Sequence, residues 1–154
     1  MQVFAVSPCP EESAKRLWVN GNRARKMITE TQQILACCQQ QFLGKVTIKK
    51  TNGEPFKTPL SRMNHPVVIW ARSDTKHASW ITDHLFCLRR GYEGDAFANV
   101  YDNYIELLKY SQFIEELRGI KFYNFAKASD KGLDFRHVAD VHEAYDKFLK
   151  AQGD

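Results

Sequence analysis

Between Arg23 and Phe42 the apolar residues return with the period of an α-helix: Met27, Ile34, Leu35, Cys38 and Phe42 fall on one side at 100° per residue. A face of that width has to be buried against other elements, so this segment commits the chain to a core built by helix packing. Beside it, Arg23, Lys26, Glu30 and Gln33 fall together in a stripe about 80° wide by the same rotation. Two cations, a carboxylate and an amide thus border a buried surface. If the stripe lines a cleft, Glu30 can act as a general acid or base while the cations hold a phosphate or tune its pKa. If it faces water, Lys26 and Glu30 form an ordinary i,i+4 pair on a solvated face.

The flanking segments read as further helices. Val3 to Val6 is a short buried strand or extended segment, stopped by Ser7-Pro8-Cys9-Pro10, after which Glu11 and Glu12 suit the first turn of a helix running to about Val19. Asn20-Gly21-Asn22 breaks that pattern. Gly44 to Pro66 is irregular and basic, with Lys45, Lys49, Lys50, Lys57 and Arg62; Val46-Thr47-Ile48 is long enough for one short strand of a hairpin and no more. Pro66 suits the first position of a helix capped by Asn64 or His65, and Ser73-Asp74 either starts another or continues the first. His77, Trp80, Ile81, His84, Leu85 and Leu88 recur at helical spacing up to a stop at Arg89-Arg90-Gly91. Phe97 to Leu117 reads as helical, Ile120 to Ala128 is aromatic and ambiguous, and Asp134 can cap a last helix carrying Val138, Val141, Tyr145, Phe148 and Leu149. The expected fold is mostly α, a single helical domain over residues 1–154 with a short N-terminal extended segment and a basic irregular loop.

Composition narrows the function classes. With 154 residues, 44% of them hydrophobic, such a domain buries about 70% of its unfolded surface and needs no disulfide or metal staple. The net charge of +4 permits a polyanionic partner without requiring one. Cys9, Cys37, Cys38 and Cys87 form no C-x-x-C pair and no zinc-finger spacing with His, and read as reduced thiols of a cytoplasmic protein. No signal-peptide pattern and no membrane-spanning apolar run is present, so no membrane partner is expected. The dinucleotide, P-loop, serine-hydrolase and zinc-protease motifs are all missing, and no metal or cofactor is expected. His65 can cap a helix or contact a ligand at its N-terminus. Trp70 can belong to the core or stack on a base, and His77 and His84 read as packing or surface residues.

Several patches taken together resemble a known family. Met1-Gln2-Val3-Phe4, Glu12-Ser13-Ala14 with Leu17, Asn22-Arg23-x-x-Lys26-x-x-x-Glu30-x-x-Gln33-Ile34-Leu35, Asn64-His65-Pro66 with Trp70, and Arg89-Arg90-Gly91-Tyr92 resemble small phage and bacterial proteins labelled pyrimidine-dimer DNA glycosylase, after the endonuclease V of a tailed phage. The stretch from Glu93 to Asp154 carries none of the resemblance. What it implies is a helical protein that attacks a damaged nucleotide with its N-terminal amine, assisted by a glutamate on an early helix with cations beside it. Carried onto this chain, the glutamate is Glu30 and the cations are Arg23 and Lys26. Gln2 is bulky, so Met1 is expected to be retained and its α-amine to be the nucleophile. With a pKa near 8 such an amine is free to attack at pH 7 far more often than a lysine. DNA would be gripped by Arg23, Lys26, Gln33, Lys49, Lys50, Arg62, His65 and Trp70, in the host cytoplasm if the chain is phage-encoded. The alternative is a non-catalytic phage accessory protein whose cleft binds DNA, a nucleotide or a host protein.

Overall fold

Helix boundaries follow the caps. In a computed structural model of the protein, which describes residues 3–50, 52–90, 120, 122–128 and 131–153, helix α1 spans Pro10–Leu17, with Pro10 at its first turn and Glu11 and Glu12 beside it. Helix α2 spans Gly21–Leu43; the Asn20 side chain accepts from the amides of Asn22 and Arg23, and Gly44 closes it in the left-handed conformation at φ 70°. Asn20-Gly21-Asn22 is therefore the cap of α2 and not a gap ahead of it. After the basic loop come α3 (Leu60–Met63), α4 (Pro66–Arg72) and α5 (Thr75–Arg89), whose cap is the Asp74 side chain accepting from the Lys76 amide. A two-residue antiparallel ladder, β1 (Lys127–Ala128) with β2 (Leu133–Asp134), precedes α6 (Val141–Ala151).

The protein is mostly α-helical, with the short buried N-terminal segment and the irregular basic loop expected of it. The helix expected over 97–117 lies outside the described residues. Among the described residues, no helix is long and apolar enough to cross a membrane.

Helix α5 is the hub, packing on α1, α2 and α4. Two tryptophans tie it to the start of the chain: Trp80 Nε1 donates to the Pro8 carbonyl (2.8 Å) and Trp18 Nε1 donates to the Leu88 carbonyl (2.9 Å). Each ring buries its body while its one polar atom is satisfied. The Cys37 and Cys38 thiols are buried in α2, and burial pushes both pKa values up, which keeps them protonated and inert.

The N-terminal segment is clamped from two sides. Ser13 Oγ donates to the Phe4 carbonyl (3.0 Å) and accepts from the Val6 amide (3.2 Å), fixing the segment on α1. The Phe4 ring meets Tyr145 edge-on at 6.0 Å and Phe148 at 5.6 Å, both on α6. Phe4 has φ 34°, a conformation that costs a bulky residue about 1–3 kcal/mol and persists only where packing enforces it. Helix α6 is held in turn by Arg16 Nε on Asp146 Oδ1 (2.6 Å) and by His142 Nδ1 donating to the Ala5 carbonyl.

One expectation is corrected: the last helix is capped by Asp140, which accepts from the His142 and Glu143 amides, and not by Asp134, which lies in β2 and pairs with Arg136 at 2.8 Å. The basic loop, irregular as expected, is anchored to the core. Gln39, buried on α2, accepts from the Thr47 and Ile48 amides (2.9 and 3.2 Å), and the Phe56 amide donates to the Ile48 carbonyl (2.9 Å). Ile48 and Phe56 are thereby rooted in the core, with Lys49 and Lys50 exposed on the turn between them and α3 following.

Removing the aromatic clamp is expected to be costly: Phe4→Ala should lower stability in urea unfolding by about 3–5 kcal/mol, and a loss below 1 kcal/mol would contradict the packing described. His84 supplies a pH prediction. It is 2% exposed, its Nε2 has no hydrogen-bond partner among the described residues, and burial lowers its pKa from 6.5 to about 3. The unfolded chain therefore takes up this proton first, so the His84 contribution is whole above pH 6.5 and is lost as pH falls toward about 3. Asp83, raised by burial from 3.8 to about 6, has the opposite sign: its contribution is present below 3.8 and lost as pH rises to about 6. His84→Leu should lose less stability than the wild-type chain between pH 6.5 and 4 in the same unfolding assay, and an equal decline would contradict the assignment.

Candidate functional site

The stripe on α2 is not uniformly wet. The Lys26 side chain is 66% exposed and that of Glu30 only 17%, with Lys26 Nζ 3.9 Å from Glu30 Oε1. At that length and exposure the pair contributes a few tenths of a kcal/mol, so it does not explain why Glu30 is drawn inward. One turn earlier, the Arg23 guanidinium stands 5.5 Å over the Phe4 ring and its Nη2 donates to Gln152 Oε1 at the end of α6. Gln33 is half-buried. The Arg23 end of the stripe thus meets the N-terminal segment and the end of α6, and the Glu30 side chain is mostly covered.

His65 approaches from α4. It precedes a proline, which favours extended backbone (φ −65°, ψ 136°), the geometry an N-cap needs. Its Nδ1 accepts from the Val67 amide at 3.2 Å, so in the neutral ring the proton sits on Nε2, leaving one N–H donor. Capping, one of the two roles open from sequence, is therefore formed. Burial lowers the pKa of this imidazole, the positive charge of the chain's amino terminus lowers it further, and the Glu30 carboxylate opposes both. His65 is thus the side chain on which the fields of the amino terminus and Glu30 converge. Met1 itself lies outside the described residues.

The remaining candidates are distributed differently. Lys49 and Lys50 are exposed on the turn of the basic loop, while Arg62 is half-buried on α3 with Nη1 donating to the Lys57 carbonyl. Trp70 is 5% exposed, stacked on His77 at 4.4 Å and 16°, and tilted against Phe122 at 5.9 Å. His77 Nδ1 donates to the Trp70 carbonyl (2.7 Å), fixing the stack. With one face covered, the Trp70 indole serves as a wall. It borders a small cleft with Val3, Ala5, Phe122 and Tyr145 that has room for about one water molecule. Stacking a base on Trp70 would require His77 or Phe122 to move.

Phe4 and Gln152 were not singled out by sequence. Phe4 carried an extended-segment signal and a place in the N-terminal patch but no site role, and nothing local marks Gln152, which reaches Arg23 across 129 positions. Among the described residues, no group of three His, Cys, Asp or Glu side chains is placed to hold a metal ion. No known family, curated protein or solved structure matches this chain.

Chemically, the chain offers a sheltered carboxylate on α2, an imidazole with one N–H donor at the start of α4, and a guanidinium held against Phe4 and Gln152. His65→Ala removes the acceptor that closes α4 and should cost about 1 kcal/mol in thermal unfolding. His65→Asn restores a side-chain acceptor at the cap and should recover most of that loss. Equal losses in the two variants would contradict the capping role.

Proposed function

We propose that this protein is a DNA glycosylase with abasic-site lyase activity, of the pyrimidine-dimer type that its N-terminal patches resemble. What supports this best is a mostly covered Glu30 side chain on the α2 stripe, with the charges of both Glu30 and the amino terminus acting on the His65 imidazole. An amine nucleophile and a proton-transferring carboxylate have to share one site for this reaction. In the reading, the neutral α-amine of Met1 attacks C1′ of the damaged nucleotide, and the glycosidic bond breaks with its electron pair going to the departing base. Opening of the sugar leaves a Schiff base between C1′ and the amine. A proton then leaves C2′, and the C3′–O bond breaks by β-elimination. Glu30 assists these proton transfers, a role that contributes about 10²–10⁴-fold where a side chain is well placed.

Arg23, Lys26, Gln33 and His65 are assigned to the extruded nucleotide and its flanking phosphates, and Lys49, Lys50 and Arg62 to the duplex backbone. Trp70 is assigned no contact with the nucleotide, since its ring lies against His77 and Phe122 and the cleft beside it has room for about one water molecule. Phosphate contacts of this kind make affinity fall with salt, and extrusion costs least at a distorted or damaged site.

The test is nicking of ultraviolet-irradiated supercoiled plasmid, with borohydride to trap the Schiff base. The wild-type chain should nick irradiated plasmid and form a covalent adduct. Glu30→Gln should reduce nicking at least 100-fold while retaining salt-sensitive binding. A folded protein with a free N-terminus that yields neither nicks nor adduct would overturn the enzyme reading in favour of a non-catalytic binding protein.

A further inference from the structure

Between α2 and the end of α3 the chain carries Lys45, Lys49, Lys50, Lys57 and Arg62 against Glu54 alone. Like charges gathered on one segment repel one another and favour an open, unpacked chain. Here the segment is tied to α2 at both ends. At the near end stands Gln39, whose side chain is fully buried. Its Oε1 accepts from the Thr47 and Ile48 amides at 2.9 and 3.2 Å, and its Nε2 donates to Thr47 Oγ1 at 2.7 Å. A primary amide carries two acceptor lone pairs and two donors, so this one side chain makes both kinds of bond to the two residues immediately before Lys49.

At the far end, Arg72 of α4 donates from Nη1 to Gln41 Oε1 (2.8 Å) and from Nε to the Met63 carbonyl (3.2 Å), joining the end of α3 to α2. Between these anchors the chain folds back on itself. Lys49 bridges Pro55, the Lys50 amide donates to the Glu54 carbonyl (2.8 Å), and the Gly53 amide donates to the Lys50 carbonyl (3.0 Å) with Gly53 at φ 84°. Ile48 and Phe56 are buried while their neighbours Lys49, Lys50 and Lys57 stay exposed. The backbone under the lysines is therefore fixed although their side chains reach water. Ordering a loose loop on a ligand costs affinity, and a loop held in advance avoids most of that cost.

We propose that Gln39 is a positioning residue for phosphate binding, which holds Lys49 and Lys50 in the geometry in which they meet the DNA backbone before any DNA is present. This rests on the DNA-binding part of the reading above and does not depend on bond breaking at Glu30. Gln39 touches no ligand; it acts through the two lysines.

The experiment uses the full chain and an intact duplex oligonucleotide. In the wild-type chain, amide hydrogen exchange should show Thr47 and Ile48 protected in the free protein, with protection changing by less than about twofold when duplex is added. Protection that appears only with DNA would overturn the proposal, because the ligand would then be ordering the loop. The salt dependence of affinity separates positioning from folding, since each phosphate contact steepens the fall of log affinity against log salt by about 0.9. Gln39→Met keeps the bulk and removes the hydrogen bonds. It should bind duplex about tenfold more weakly with a slope shallower by about 2, matching Lys49→Ala/Lys50→Ala, in which two contacts are gone. Adding Gln39→Met to that double variant should cost less than about twofold more, because the three residues act through the same contacts. Gln39→Glu keeps an acceptor for both amides and should recover most of the slope. An unchanged slope in Gln39→Met, or a further tenfold loss in the triple variant, would overturn the positioning role while leaving DNA binding intact. Failure of the wild-type chain to bind duplex at low salt would overturn the DNA reading and this assignment with it.

Discussion

The Phe4 ring holds the two ends of the described chain together. It sits between Tyr145 and Phe148 of α6 on one side and the Arg23 guanidinium of α2 on the other. The backbone pays for this placement with a positive φ, and Ser13 locks the turn through two hydrogen bonds. Without that anchor α6 would lose its aromatic contact with the N-terminal segment, Gln152 would lose its route to Arg23, and the start of the chain would have no fixed path toward the α2 stripe. The strain is therefore spent on joining elements distant in sequence, which is where backbone strain is commonly stored near functional sites.

The site follows from the way one stripe is divided. Lys26 and Glu30 are neighbours on the same helix face, yet one reaches water and the other is mostly covered. A carboxylate sheltered in this way interacts more strongly with nearby charges than an exposed one, because less solvent screens it. His65 completes the arrangement from α4, its ring fixed by the cap it makes and its remaining N–H set by that same hydrogen bond. The chemistry proposed for the chain uses this combination: an amine that must be neutral to attack, a carboxylate that moves protons, and cations that hold phosphates.

Much of this was legible in the sequence, for identifiable reasons. Helix α2 announced itself through Met27, Ile34, Leu35 and Cys38, because a long amphipathic helix repeats its signal over several turns. The His65-Pro66 pair marked the start of α4, because proline restricts the residue before it and suits the first helical turn. Helix α3 was missed, since four residues are too few to show a period. Asp134 was mistaken for the cap of α6 because Asp134 and Asp140 both precede the apolar run, and only the backbone path between them decides which side chain meets the free amides. Trp70 read chiefly as core, with stacking on a base as the lesser alternative; its His77 partner lies seven positions away, a spacing that does not reveal whether two rings overlap. The Arg23 contact to Gln152 had no local signal at all, because only tertiary packing brings those residues together.

The central claim is that the amino terminus, Glu30 and His65 share one electrostatic environment, and an NMR titration of the His65 imidazole in the wild-type chain and in Glu30→Gln tests it most directly. Convergence predicts a wild-type midpoint below the free-histidine value of about 6.5, and a further drop in Glu30→Gln, where the carboxylate that supports the imidazolium is gone. A midpoint at the free value that does not move between the two proteins would contradict it.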